Sequence, residues 1–206
     1  MVRGTRGYVE QADELTKRYE ALSFEHKHQA LLHLLPPAPA RALDIGAGTG
    51  TDAAWLAQQG YEVVAVEPTE ELRRRGQVLH PSPSIYWIDD CLPRLDRVIA
   101  RAHGFDVVML TAVWMHLDEA ERCLAMPRVA SLLRPDGLLT FTLRHGPVPE
   151  GRIMFEVSAE ETIALAQSCG MSAILSLHGP STQSVNREAG ISWSRLAFRS
   201  AASGST

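Results

Sequence analysis

Leu43-Asp44-Ile45-Gly46-Ala47-Gly48-Thr49-Gly50 is the stretch whose reading decides the fold. A short apolar run leads into it, and Asp52-Ala53-Ala54-Trp55-Leu56-Ala57 follows as the start of a helix. A strand that ends in alternating glycines and opens a helix brings bare backbone against a ligand, because glycine makes the tight turn and carries no side chain to block approach. Tyr61-Glu62-Val63-Val64-Ala65-Val66 reads as the next strand, with Glu67 at its carboxyl end. An acidic residue ~20 positions after such a turn is placed to bind the two hydroxyls of a ribose.

The glycine spacing separates two kinds of nucleoside site. A dinucleotide loop uses G-x-G-x-x-G, whose third glycine lets the helix pack close beneath a pyrophosphate. Here the glycines stand at 46, 48 and 50, and position 51 is Thr. Asp44-Ile45-Gly46-Ala47-Gly48-Thr49-Gly50 resembles the first motif of the class I S-adenosyl-L-methionine (SAM)-dependent methyltransferases: an acidic residue, an apolar residue, then G-x-G-x-G. The resemblance implies that SAM is the cofactor and S-adenosyl-L-homocysteine the product. It also implies that Asp44, Gly46, Ala47, Gly48, Gly50 and Glu67 hold the cofactor.

Further segments fit the same family. Pro68 follows Glu67 and is placed to lie flat against an adenine. Ile85-Tyr86-Trp87-Ile88 runs into Asp89-Asp90, similar to the family's third motif, in which an Asp accepts from the adenine N6 amine and a neighbouring amide meets N1. Asp89 is favoured for that role, with Asp90 the alternative because the spacing to Leu92-Pro93 is short. Phe105 to Leu110 leads to Thr111-Ala112-Val113-Trp114-Met115-His116, where the resemblance puts backbone at Thr111 and Ala112 against the methionine amine and His116 on the methyl-donor side. His116 is read either as a hydrogen-bonded structural residue or as part of the acceptor pocket. Trp114 and Met115 are read as pocket wall or core. Arg144-His145 follows the fifth strand at the same rim: an Arg there can hold a substrate carboxylate, and a His can serve as general base near neutral pH. His116 and His145 are the catalytic candidates; Trp114 and Arg144, with Tyr8 and Tyr19 from the first helix, are the substrate-side candidates.

The chain has 206 residues, enough for one domain with a full core, and a formal charge of −4. That is no footprint for a polyanion. Arg73-Arg74-Arg75 is read as the cationic last turn of a helix that opens on Glu70-Glu71, which suits the helix dipole. Cys91, Cys123 and Cys169 are far apart, lack metal-ligand spacing, and are read as reduced, mostly buried thiols. No metal is implied. His26 and His28 are read as a solvated face. The polar amino-terminal stretch (Arg3, Arg6, Glu10) and the lack of any run near ~20 apolar residues point to a cytoplasmic protein without a membrane segment.

Residues 8–35 read as helix, ended by Pro36-Pro37; strands are expected near 41–45, 61–66, 84–88, 105–110 and 138–143, with helices near 51–59, 69–79, 93–102 and 118–133. Asp118 with Glu121 and Ser158 with Glu161 resemble capping boxes, and Arg134 to Gly137 reads as a turn. A helix ending at Gly170 and two strands near 171–177 and 192–199, joined by a polar loop, complete the pattern. The expected fold is α/β: a Rossmann-like, seven-stranded methyltransferase sheet, mostly parallel, with an antiparallel last strand and helices on both faces. Residues 1–38 would form a helical lid, 39–199 the core, and 200–206 a frayed tail.

Absences narrow the acceptor. No Asn-Pro-Pro-aromatic run and no Pro-Cys pair follows the fourth strand, and the thiols are not clustered as arsenic methylation requires. With no basic face and no appended recognition domain, the resemblance implies methyl transfer from SAM to a small molecule, at an O or N atom. A methylase of RNA or protein and a SAM-binding regulatory protein without turnover are the alternatives. Nothing in the sequence fixes the oligomeric state.

Overall fold

The structure, a computed structural model, describes residues 5, 7–102 and 104–201. Its strands are β1 (Arg41–Ile45), β2 (Glu62–Val66), β3 (Ile85–Ile88), β4 (Phe105–Thr111), β5 (Leu133–His145), β6 (Ser172–Pro180) and β7 (Ser192–Arg199). They form one seven-stranded sheet in the order β3-β2-β1-β4-β5-β7-β6. All neighbours are parallel except β7, which runs antiparallel to both β5 and β6.

Both faces of the sheet are covered, which is why its central strands are apolar at nearly every position. On one face Leu43, Ile45, Val64, Val66, Val108, Leu110, Leu139 and Phe141 pack with Val98, Met126, Val129 and Ala166. These last four come from α5 (Asp96–Arg101), α6 (Glu119–Ser131) and α7 (Ala159–Ser168). The alternate residues Ala42, Val63, Ala65, Val107 and Met109 face Phe24, Leu31, Ala53 and Leu56 on the other side. There lie α2 (Phe24–His28) and α3 (Thr51–Gln58). A third cluster, Ala12, Leu15 and Leu72, joins α1 (Ala12–Glu20) to α4 (Glu70–Leu79). The strand order reverses between β1 and β4, so the carboxyl ends of β1, β2 and β4 open onto one crevice.

Several expected boundaries shift, each for a local reason. The helix expected over 8–35 breaks after α1. Ser23 offers its Oγ to the His26 amide (3.1 Å) and restarts the chain as α2, and a 3-10 turn follows at Leu32–Leu34. The helix expected from 93 begins only at Asp96, because the Asp90 carboxylate caps it from upstream, accepting from the Arg97 and Val98 amides at 2.8 and 2.9 Å. The turn expected at Arg134–Gly137 is a bulge within β5: Leu133 pairs with Phe105 and Leu138 with Val107, so four residues face Asp106 alone. The polar loop between β6 and β7 holds a short helix, α8 (Ser184–Glu188). Both caps form: Asp118 and Glu121 bond reciprocally, and the Ser158 Oγ accepts from the Glu161 amide.

Other expectations are corrected by packing. Arg73, Arg74 and Arg75 sit in the middle of α4, not in its last turn. Arg73 is bonded to the Glu67 carbonyl, Arg74 to Glu70 and Arg75 to Asp13. None of the cysteines is buried; Cys123 is exposed and the other two are partly covered. Ser200 is not frayed, since its Oγ accepts from the Gly137 amide and donates to the Arg134 carbonyl. Arg3, Arg6 and residues 202–206 lie outside the described residues.

Candidate active site

The glycine turn is tied to the end of β2. The amides of Gly46 and Ala47 both donate to the Val66 carbonyl, at 2.8 and 2.9 Å. Gly46 has φ +74°, and a Cβ there would come within 2.4 Å of Val113, so the position admits no side chain. Glu67, 5% exposed, accepts from the Gly48 amide (2.9 Å) through Oε2 and from the Thr69 amide (2.7 Å) through Oε1. Burial pushes its carboxyl up, against the pull of the Thr69 and Gly48 bonds and the nearby Arg73 charge. A carboxylate oxygen has two lone pairs, so each still has one to offer a hydroxyl.

Asp44, at the end of β1, is 1% exposed, and its Oδ2 has no hydrogen-bond partner. Burial, reinforced by the neighbouring Asp52 charge, holds its carboxyl well above the usual range, while Lys27 opposes. Asp52 takes the opposite course. Burial raises it, but His28 (2.8 Å) and Lys27 (2.5 Å) outweigh burial and keep it ionised. The Thr111 hydroxyl also donates to Asp52, at 3.1 Å. His28 is thus a buried partner of Asp52, not part of a solvated face, and α2 is clamped over the crevice through it. A buried acid with an unused oxygen suits the ammonium and sulfonium of a methionine moiety. Beside it lie a glycine-rich turn and the buried Glu67 carboxylate, whose remaining lone pairs suit two hydroxyls. Together these residues fit SAM.

Asp89 and Asp90 part ways. Asp89 is half exposed and turned outward to Arg97 (3.1 Å) and Arg73 (3.4 Å). Asp90 lines the crevice with Pro68, Cys91 and Leu92, while its carboxylate also holds the Cys91, Arg97 and Val98 amides. Of the pair, Asp90 lines the cavity and Asp89 does not.

The opposite end is built from distant parts of the chain. His116, on a 3-10 turn at Trp114–His116, has Nδ1 2.7 Å from the Ile153 carbonyl and Nε2 2.9 Å from the Tyr8 hydroxyl. A carbonyl only accepts, so Nδ1 carries the proton, Nε2 is the acceptor, and Tyr8 donates to it. Burial lowers the affinity of His116 for a second proton, and the charges of Arg152 and Arg144 lower it further against the Ile153 bond. Burial, with Tyr19 next, pushes the Tyr8 phenol far up. The Arg152 guanidinium lies 3.5 Å over the Tyr8 ring.

One cavity of about 490 Å³ joins the two ends. Asp44, Gly46, Ala47, Gly48, Glu67, Pro68, Asp90, Thr111, Tyr8, Tyr19, His116 and Arg144 line it; Gly50, Asp89, Trp114 and His145 do not. Gly50 instead gives Trp87 room, since a Cβ would meet that indole at 2.7 Å. Trp114 is fully buried against Phe141. His145 bonds to the Ser194 hydroxyl (2.8 Å), which also meets His178 (3.1 Å), on the β5-β7-β6 side of the sheet. Sequence reasoning missed Arg18, Lys27, Asp52, Arg152, Trp193 and Arg195. Asp52 was findable, as the first acid after the glycine turn; the others carry no local pattern. Among the described residues no cluster of three metal-binding side chains occurs, and no helix is long and apolar enough to cross a membrane.

Comparisons with known proteins identify the family and the fold. Residues 14–171 match a family model described as a methyltransferase domain. An uncharacterised methyltransferase of Mycobacterium tuberculosis is 32% identical over 121 residues, 59% of this chain and 46% of that protein. Mouse glycine N-methyltransferase is 29% identical over 135 residues, 56% of this chain and 46% of that protein. The chain thus spans about half the length of these curated relatives. A Burkholderia thailandensis 1,6-didemethyltoxoflavin-N1-methyltransferase, solved with 1,6-didemethyltoxoflavin and S-adenosylhomocysteine, shares the fold. Its TM-score is 0.74 at 21% identity, covering 94% of this chain and 85% of that one. The N-methyltransferase NodS of Bradyrhizobium japonicum gives 0.67 at 18%, over 85% and 86%.

Proposed function

The chain belongs to the class I SAM-dependent methyltransferase family, and on that premise we propose that it binds SAM and methylates an O or N atom of a small molecule. The observation that carries the reading is the pair Glu67 and Asp44. Both are buried acids at adjacent strand ends, one preorganised by the Gly48 and Thr69 amides, the other with an oxygen left over. Glu67 would hold the ribose hydroxyls, Asp44 and Thr111 the methionine end, and Pro68 and Asp90 the adenine. SAM, when bound, supplies a methyl group already activated on a sulfonium. The protein's own work is then to orient, exclude water and, where the acceptor must lose a proton, take it.

Tyr8 and His116 form the base. The phenol oxygen keeps a lone pair for an acceptor O–H or N–H while its own proton points at His116 Nε2, so a proton leaving the acceptor passes through Tyr8 to the imidazole. His116 is held neutral for this by burial and by Arg152 and Arg144. His145 takes no part, since it faces away from the cavity. The segment up to residue 38 acts as a lid, with Tyr8, Tyr19 and Lys27 over the cofactor. The relatives named for small acceptors, glycine and 1,6-didemethyltoxoflavin, support a small-molecule substrate.

The test is purified protein with methyl-labelled SAM and fractionated cell extract. Label in a low-mass product, identified by mass spectrometry, is expected. Label only in RNA or protein would give a macromolecular methylase, and tight SAM binding without turnover would give a regulatory binder.

A further inference from the structure

Arg18 on α1, Arg144 at the end of β5, Arg152 in the loop after it and Arg195 on β7 all line the cavity. Among the described residues, none of the four pairs with a carboxylate. Several arginines elsewhere find acids, Arg74 with Glu70, Arg97 with Asp89, Arg122 with Glu161 and Arg134 with Asp106, and Arg187 and Arg199 are held by backbone carbonyls. The cavity acids do not serve them. Asp52 is held by Lys27 and His28, Asp90 by three amides, and Glu67 by two.

The contacts that Arg18, Arg144 and Arg152 make are with neutral groups. Arg144 reaches the Gly146 carbonyl at 3.5 Å and the Met154 sulfur at 3.9 Å, both at the limit of a hydrogen bond. Arg152 gives Nη2 to Gln11 (2.8 Å) and stacks on Tyr8. Arg18 lies 6.0 Å from the Tyr19 ring. They also act on one another's surroundings: the Arg18 charge reaches Arg144, and those of Arg152 and Arg144 reach His116. Arg144, Arg152 and Arg195 are each partly buried, and burial makes both Arg144 and Arg195 hold their protons less firmly. Arg144, Arg152 and Arg195, part desolvated and without a counter-charge among the described residues, cost free energy that an anion would return, and the exposed Arg18 adds its charge.

The cavity is thus bipolar. Its acids stand at the ends of β1 to β3 and at the start of α3, and Arg18, Arg144 and Arg152 stand around Tyr8 and His116. Trp193, Met154 and Ile191 give the arginine end an apolar wall. We propose that the acceptor carries an oxyanion group, a carboxylate or a phosphate, that Arg144 and Arg152 bind, with Arg18 and Arg195 supplying field. The guanidinium fork suits both groups. This rests on the reading of the site as a methyltransferase centre and specifies its substrate class.

The experiment uses the full chain saturated with S-adenosylhomocysteine. Acetate and benzoate, their neutral counterparts acetamide and benzamide, and inorganic and phenyl phosphate are each titrated in, followed by calorimetry and by the fluorescence of Trp193 at the cavity wall. At least one anion should bind 10-fold or more tighter than its neutral counterpart, and the carboxylate and phosphate arms rank the two sources. Arg144→Gln and Arg152→Gln should each weaken that anion about 10-fold, as expected for one charge-assisted contact. Arg144→Lys should fall between, and an unchanged S-adenosylhomocysteine affinity shows that each variant is folded. Equal binding of anion and neutral probe, no binding by either, or variants that bind the anion like the parent would overturn the proposal. Failure of S-adenosylhomocysteine to bind strikes the methyltransferase reading instead, and the anion titration on unloaded protein then still decides the oxyanion site.

Discussion

Glu67 and Arg144 stand at opposite ends of one cavity and are held in opposite ways. Both oxygens of Glu67 are fixed by backbone amides within 2.9 Å, on a turn that is itself bonded to β2. Arg144 has only marginal contacts, and its neighbours come from α1, a loop and β7. One end is a backbone device, complete before any ligand arrives. The other is a set of side chains gathered from across the chain and left with unspent hydrogen-bonding capacity. A fold that keeps the first constant can vary the second, because changing Arg144 disturbs only a marginal contact with the Gly146 carbonyl while changing Glu67 releases two backbone amides.

Four experiments can break or sharpen this contrast. The largest effect is expected on turnover. His116→Ala or Tyr8→Phe should lower the methyl-transfer rate by ~10²–10⁴ for an acceptor that must lose a proton. S-adenosylhomocysteine affinity should stay within about 3-fold, since neither group belongs to the acidic end and hydrogen bonds of that end are left intact. His145→Ala should change turnover less than about 3-fold, as its imidazole is engaged with Ser194 outside the cavity. Loss of turnover in His145→Ala with normal rates in Tyr8→Phe would transfer the base to the wrong side of β5.

Glu67→Ala comes next. It removes a charged acceptor from two amides and from the ribose, and bonds to charged groups are worth roughly 1.5–3 kcal/mol each. Calorimetry should record a loss of about 10²-fold or more in S-adenosylhomocysteine affinity. An unchanged dissociation constant would show that the acidic end is not the cofactor end.

A smaller effect separates the two aspartates. Asp90→Ala should weaken cofactor binding about 10-fold, both directly and by freeing the amides of α5, whereas Asp89→Ala should change it less than about 2-fold. The reverse order would mean that Asp89 swings inward on binding.

The smallest effect is a pH dependence of stability. His116 is held below its ordinary value in the folded state, so the unfolded chain binds the proton first as pH falls. Its contribution is present above the unfolded value of about 6.5 and is lost as pH drops below that, by at most about 1.4 kcal/mol per pH unit. Denaturant titrations at pH 7.5 and 5.5 should show a smaller loss in His116→Asn than in the parent chain. An equal loss would place the titration on another histidine.

Legibility followed the same divide. The G-x-G-x-G turn and Glu67 could be read because adjacent residues in a strand-turn-helix unit perform the whole task. Asp89 was favoured over Asp90 because motif spacing says which residues are near a strand end, not which of two neighbours turns inward. That is settled by the Arg97 and Val98 amides, which capture Asp90, and by the Arg73 and Arg97 guanidiniums, which draw Asp89 out. Trp114 and His145 have the right positions in the chain and the wrong directions in space. His28 was read as solvated because its partner, Asp52, is 24 residues away.

By itself, then, the sequence determined the layered α/β fold and the glycine turn with the buried acids at the ends of β1 and β2 that line one end of the cavity. Hydrophobic alternation, caps and glycine turns are local, and each acts through its own backbone. Only the tertiary structure assembled the arginine end of the cavity. Tyr8 meets His116 across 108 residues, and Arg152 meets Tyr8 across a comparable span, through contacts that no local pattern encodes. Those contacts exist because the packed sheet brings the ends of β4, β5 and β7 under the amino-terminal helices, where burial and unpaired charge give the residues their chemistry.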